Sequence, residues 1–122
     1  RKEIVARYDV MCDELGVKHL FHSGENFNSS HHLYLTRIPG ISDETRRKII
    51  IKLAERGVNT NVHYKPLPMM TAYKEMGWDI KDFPNAYAYY ENLITLPLHT
   101  KLSDEDVEYV IENYKEVVKE YI

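Results

Sequence analysis

Near its carboxyl end the chain carries Val107, Val110, Ile111, Tyr114, Val117, Val118 and Tyr121 at intervals of mostly three and four residues. On a helix these form one continuous apolar stripe. Ser103 stands where the cap belongs, and Asp106 follows three residues on in the capping-box position. A helix with one apolar face has to bury it against another element, so this segment requires a second layer built from the residues before it.

Those residues alternate between helical and strand periodicity. Ile4, Val5, Tyr8, Met11, Cys12 and Leu15 share one helical face, and Gly16 is placed to end that helix in the left-handed conformation. After a polar stretch from His22 to His31, the run Leu33–Ile38 is β-prone and stops at Pro39-Gly40. Ser42 then caps a second helix with Asp43 and Glu44 in its first turn, an inward stripe of Ile49, Ile50, Leu53 and Ala54, and Gly57 at its end. Val58–Tyr64 alternates, with Val58, Thr60, Val62 and Tyr64 on one face and Asn59, Asn61 and His63 on the other, which predicts a strand with one core face and one polar face. Lys65-Pro66-Leu67-Pro68 ends it, because proline donates no hydrogen bond. Single helical turns are expected over Thr71–Met76 and Asn85–Asn92, and Leu93–Leu98 reads as a short buried strand whose proline marks an edge, a bulge or an end. The order predicts a two-layer α+β domain over residues 1–122, with a small sheet of about three strands and helices packed on one face. The polar face of the second strand is left without a cover.

Composition narrows the function. With 16 basic and 19 acidic residues interspersed, the net charge is −3, and no basic run suits a polyanion, so no nucleic-acid partner is expected. No apolar run approaches the roughly 20 residues a bilayer crossing needs, so no membrane partner is expected either. The single cysteine, Cys12, excludes an internal disulfide and a thiolate zinc site and is compatible with a reducing, cytoplasmic setting. Ten tyrosines suit half-buried surfaces, where the ring packs and the hydroxyl stays hydrogen-bonded. The start at Arg1-Lys2-Glu3, with neither an initiator methionine nor a signal-like apolar stretch, suggests a piece of something longer.

Gly-rich phosphate loops, zinc-binding His-Glu-x-x-His helices and Gly-x-Ser-x-Gly elbows are all missing. No metal site is expected, since His31 and His32 would point to opposite faces of a strand, and His19 with His22 would need a helical turn just past Gly16. Cys12 lies on an apolar stripe and reads as a small inert hydrophobe. Arg37 is read as a surface ion pair. His63 ends the polar strand face directly before the Pro-x-Pro loop, where an imidazole reaches a ligand lodged above a sheet. Tyr64 is expected to pack on the apolar side, offering only its hydroxyl for recognition.

The segment Gly57-Val58-Asn59-Thr60-Asn61-Val62-His63-Tyr64-Lys65-Pro66-Leu67, followed by Tyr73 and Gly77, resembles the His-Tyr-x-Pro-Leu region of the DegT/StrS-like sugar aminotransferases, which are fold-type I enzymes dependent on pyridoxal phosphate. Glu91–Leu98, then Leu102-Ser103 and Val107–Ile111, is similar to that family's Ser-Leu-Pro-Leu stretch and capped terminal helix. Arg1–Tyr8 resembles its Arg-x-x-Ile-Ala-x-x-Tyr helix, and His32–Ile38 its His-x-Phe strand. The departures are Thr95 for the usual serine, Val5 where alanine is common, and Pro68 in place of a second histidine.

The resemblance implies that this chain is the small carboxyl-terminal domain of a two-domain, dimeric enzyme. In that family a large amino-terminal domain holds pyridoxal phosphate on a lysine, and an amino group passes from a donor, usually glutamate, to a nucleotide-linked keto sugar. None of the ten lysines here stands in the family's cofactor context, so no catalytic or cofactor-binding residue is assigned and the chain alone is expected to be inactive. His63 is expected to hydrogen-bond the sugar or its phosphates, with Asn61 behind it and Tyr64 shaping the wall; His32 is expected to be structural or to support a side chain that meets the ligand. The competing reading is an independent α+β module that binds a metabolite or another chain on its open sheet face.

Overall fold

A computed structural model describes all residues, Arg1 to Ile122. Helix α1 (Lys2–Leu15) buries Val5, Tyr8, Met11 and Cys12 and stops at Gly16 with φ at 71°, a conformation that costs a residue with a Cβ. The chain passes directly into β1 (Lys18–His19) and then a small hairpin of β2 (Ser23–Gly24) and β3 (Phe27–Asn28). Strand β4 (Tyr34–Arg37) leads to α2 (Asp43–Glu55), where the Ser42 hydroxyl accepts the Thr45 N–H at 3.2 Å. Helices α3 (Thr71–Glu75) and α4 (Pro84–Tyr90) occupy the stretch before β5 (Leu93–Leu96), and α5 (Asp104–Lys119) closes the chain. Both halves of the α5 capping box form at 3.0 Å, and the Ser103 backbone N–H holds the Asp106 carboxyl below its usual range.

The main sheet is antiparallel in the order β1-β4-β5. Residues directly opposite across an antiparallel pair share a face. The pairs Tyr34–Leu96 and Thr36–Ile94 therefore point one way, and Leu35–Thr95 and Arg37–Leu93 the other. Tyr34, Thr36, Ile94 and Leu96 turn toward the helices, in a cluster that includes Tyr8 and Met11 of α1, Ile49 and Leu53 of α2, and Tyr114 and Val117 of α5. Polar atoms in this layer are paired: the Thr36 hydroxyl donates to the Ile94 carbonyl at 2.8 Å and sits 2.9 Å from the Tyr114 hydroxyl, and Tyr8 donates to the Pro97 carbonyl at 2.7 Å. Three helices on one face of a three-stranded sheet are the two-layer α+β arrangement the sequence predicts.

The identity of the third strand differs from that expectation. Val58–Tyr64 forms no continuous strand; it touches the sheet through one bridge, where Asn61 and Thr95 exchange both backbone hydrogen bonds at 3.1 and 2.7 Å. The next rung would pair Asn59 with Pro97, which has no N–H to give. The sheet is completed on its other side by Lys18–His19, a two-residue strand too short to leave a periodic signal in sequence. The polar stretch from His22 to His31, to which the sequence assigns no element, holds the β2–β3 hairpin.

Candidate functional site

Thr95 organises the open side of the sheet. It lies mid-strand in β5, is buried, and projects away from the helical layer. Its backbone fixes Asn61 through the bridge, and its hydroxyl lies 3.0 Å from Nδ1 of His63, two residues on. His63 is half-buried with Nε2 free of any protein partner. The Tyr64 ring meets the imidazole edge-on, with centroids 4.7 Å apart and planes at 87°, across a His63–Tyr64 peptide bond that is cis. Asn61 turns its side chain back on the main chain, its Oδ1 accepting the Val62 N–H at 2.7 Å.

The structure thus brings His63 and Tyr64 together, with Asn61 held beside them by backbone alone. Tyr64 does not pack on an apolar side, contrary to the alternation: it is 69% exposed. The ladder is lost beyond Asn61, and with it the two-residue periodicity that would have put neighbouring side chains on opposite faces. The five principal clefts of the chain are lined by other residues, so these side chains form an open wall, not a pocket.

Arg37 is also on the open face and is no surface ion pair. Its Nε donates to Asn92 Oδ1 at 3.2 Å, one terminal nitrogen donates to the Ala88 carbonyl at 3.1 Å, and the guanidinium stacks 3.8 Å above Tyr89. It ties α4 to the sheet beside a cleft of about 470 Å³ floored by Leu35 and Leu93. Arg46, buried on α2, does the same from the other direction by donating to the Tyr90 carbonyl beneath a cation–π contact with that residue's ring. Sequence reading missed both roles, because acceptor carbonyls leave no trace in residue identity. It noted Thr95 only as a replacement for serine and gave it no role, although a hydroxyl inside the apolar run Leu93–Leu96 was a usable signal.

Other polar residues do not join the wall. His32 is exposed, and His19 lies on the helical side between Asp9 at 3.1 Å and Asp13 at 3.5 Å. His22 and His31 stack 5.1 Å apart near Tyr34. Burial pushes the Cys12 thiol up to about 12, which leaves it protonated and unreactive in the core. No three His, Cys, Asp or Glu side chains converge where they would hold a metal ion, and no helix is long and apolar enough to cross a membrane.

The two-layer α+β fold is shared with solved aminotransferases. The PLP form of Spr1654 from Streptococcus pneumoniae, named as a sugar aminotransferase, is 52% identical over 99% of this chain with a TM-score of 0.95, and the match spans 31% of that protein. The spore coat polysaccharide biosynthesis protein SpsC of Bacillus subtilis (strain 168) is 32% identical over 98% of the chain and 31% of its own length. The dTDP-4-dehydro-2,3,6-trideoxy-D-glucose 4-aminotransferase of Saccharopolyspora spinosa is 29% identical over 100% of the chain and 30% of its own length. The model of the DegT/DnrJ/EryC1/StrS aminotransferase family matches residues 1–115. This chain belongs to that family. It spans about three tenths of the length of these relatives.

Proposed function

We propose that the chain serves as the small carboxyl-terminal domain of a pyridoxal-phosphate-dependent aminotransferase that transfers an amino group, from a donor such as glutamate, to a nucleotide-linked keto sugar. The observation that carries this reading is the match of almost the whole chain to one stretch of sugar aminotransferases, in a fold whose sheet face away from the helices carries His63 half-buried and Tyr64 exposed.

The chain's own residues do not fit the cofactor. Eight of its ten lysines are exposed, and the two half-buried ones, Lys52 and Lys115, are paired with Glu120 and Glu14. None is an amine sheltered from water of the kind that cofactor attachment needs. Attachment of pyridoxal phosphate, which stores charge in its ring during transamination, therefore falls on a separate large domain, and the isolated chain is inactive. The role left to this chain is to close and shape the sugar site: His63 hydrogen-bonds the sugar or its phosphates, Tyr64 supplies an aromatic wall, and Asn61 sets the approach of the main chain. The same reading makes the enzyme a homodimer.

In the two-domain enzyme, His63→Ala is expected to raise the Michaelis constant for the sugar about tenfold, the worth of one hydrogen bond of roughly 1–1.5 kcal/mol, and to leave cofactor absorbance unchanged. Sugar kinetics identical to the parent would reject the assignment.

A further inference from the structure

The contact between His63 and Thr95 sets the proton on the imidazole. Thr95 is 4% exposed, and its hydroxyl has one protein partner, Nδ1 of His63 at 3.0 Å. A threonine hydroxyl carries a single proton, while a neutral imidazole has one nitrogen that donates and one that accepts. Two arrangements are possible. If Nδ1 carries the proton, it donates to Oγ1, and the threonine proton is left buried with no acceptor. If Nδ1 is bare, the hydroxyl donates to it, and one hydrogen bond satisfies both groups. Leaving a buried donor unmade costs more than a made bond contributes, so the second arrangement prevails.

We infer that Thr95 is a positioning residue that locks neutral His63 as the Nε2–H tautomer, so that the site offers its ligand a hydrogen-bond donor and is matched to an oxygen acceptor. This rests on the proposed role of His63 in the sugar site and adds which atom of the ligand it meets. Both carbonyl and phosphoryl oxygens qualify; an ammonium or an amide N–H, which can only donate, does not. The backbone bridge between Thr95 and Asn61 adds rigidity, since the strand that carries the hydroxyl also anchors the segment that carries the imidazole.

Nitrogen-15 NMR of the histidine-labelled two-domain enzyme, with the His63 signals assigned by their loss in His63→Ala and at a pH where the imidazole is neutral, reads the tautomer directly. The expected result is one dominant form with the proton on Nε2. A dominant Nδ1–H form, or an even mixture, overturns the inference with no variant needed. Thr95→Val keeps the buried shape and removes the hydroxyl; it should shift His63 toward a mixture, and Thr95→Ser should restore the single form. An unchanged spectrum in folded Thr95→Val also overturns it. A merely structural Thr95 would leave the tautomer ratio alone. Because the spectrum is read without ligand, its failure is separable from that of the sugar-site assignment, which is judged by His63→Ala kinetics.

Discussion

Under the sheet, nineteen apolar side chains from all the long helices and the central strands form one buried cluster, whereas between Tyr64 and Tyr89 no residue is buried. The second region is no less apolar: Leu67, Met70, Tyr73, Met76, Trp78 and Phe83 all stand exposed on it. Helices of five and seven residues are far below the length at which a helix holds itself together in water. The arm is therefore held at its ends. Its entry is pinned by the Asn61–Thr95 bridge, and its exit by Arg37 on the Ala88 carbonyl and Arg46 on the Tyr90 carbonyl. Burial organises one part of this molecule; a few directed polar contacts organise the other.

Truncation in the buried layer should have the largest effect. Ile94→Ala, at a fully buried position, is expected to cost about 2–5 kcal/mol in urea unfolding. A loss below 1 kcal/mol would mean the cluster is looser than it looks. Arg46→Met tests the exit pin: it keeps the aliphatic stem but leaves the Tyr90 carbonyl unpaired, for an expected loss of roughly 1–3 kcal/mol. Hydrogen exchange should quicken in α4 more than in α5, and uniform quickening would contradict a local clamp.

A third test uses pH. Burial, then the neighbouring His31, hold the His22 imidazole below its usual range, while Asp9 opposes them and His19 adds to the effect. A histidine depressed in the folded state binds protons more readily when unfolded, so stability is full above the ordinary value of about 6.5 and falls as the pH drops through it. Unfolding followed from pH 8 to 5 should show this decline, and His22→Asn should flatten it. The smallest effect is expected in the arm, where Met76, 72% exposed, should tolerate Met76→Ser within about 0.5 kcal/mol. A larger loss would show that the arm has a core of its own.

The same contrast explains what the sequence disclosed. Both long capped helices, β4, β5 and the terminal capping box were legible, because periodicity and caps report burial and helix ends directly. The helical turns expected over Thr71–Met76 and Asn85–Asn92 correspond to helices at Thr71–Glu75 and Pro84–Tyr90. The strand over Val58–Tyr64 was not real, because alternation shows which way residues would face without showing whether a partner strand has a hydrogen to give. Lys18–His19 was invisible for want of length. In the candidate site, His63 and Tyr64 drew attention by their place at the end of an alternating run, and the family resemblance suggested a role for them with Asn61; their mutual geometry was not legible, because the Thr95 contact joins residues 32 positions apart. Arg37 was misjudged and Arg46 passed over for a related reason, since their acceptors are main-chain oxygens and an amide.

Pro97 has a consequence beyond ending a strand. On the outer edge of β5 the backbone groups that point away from β4 belong to Leu93, Thr95 and Pro97. Thr95 is taken by Asn61, Pro97 has no hydrogen and gives its carbonyl to Tyr8, and one rung remains. At the opposite margin, β1 is only two residues long. A sheet with both borders so curtailed is a poor template for a foreign strand, and the fold is thereby guarded against the edge-to-edge growth that seeds fibrils.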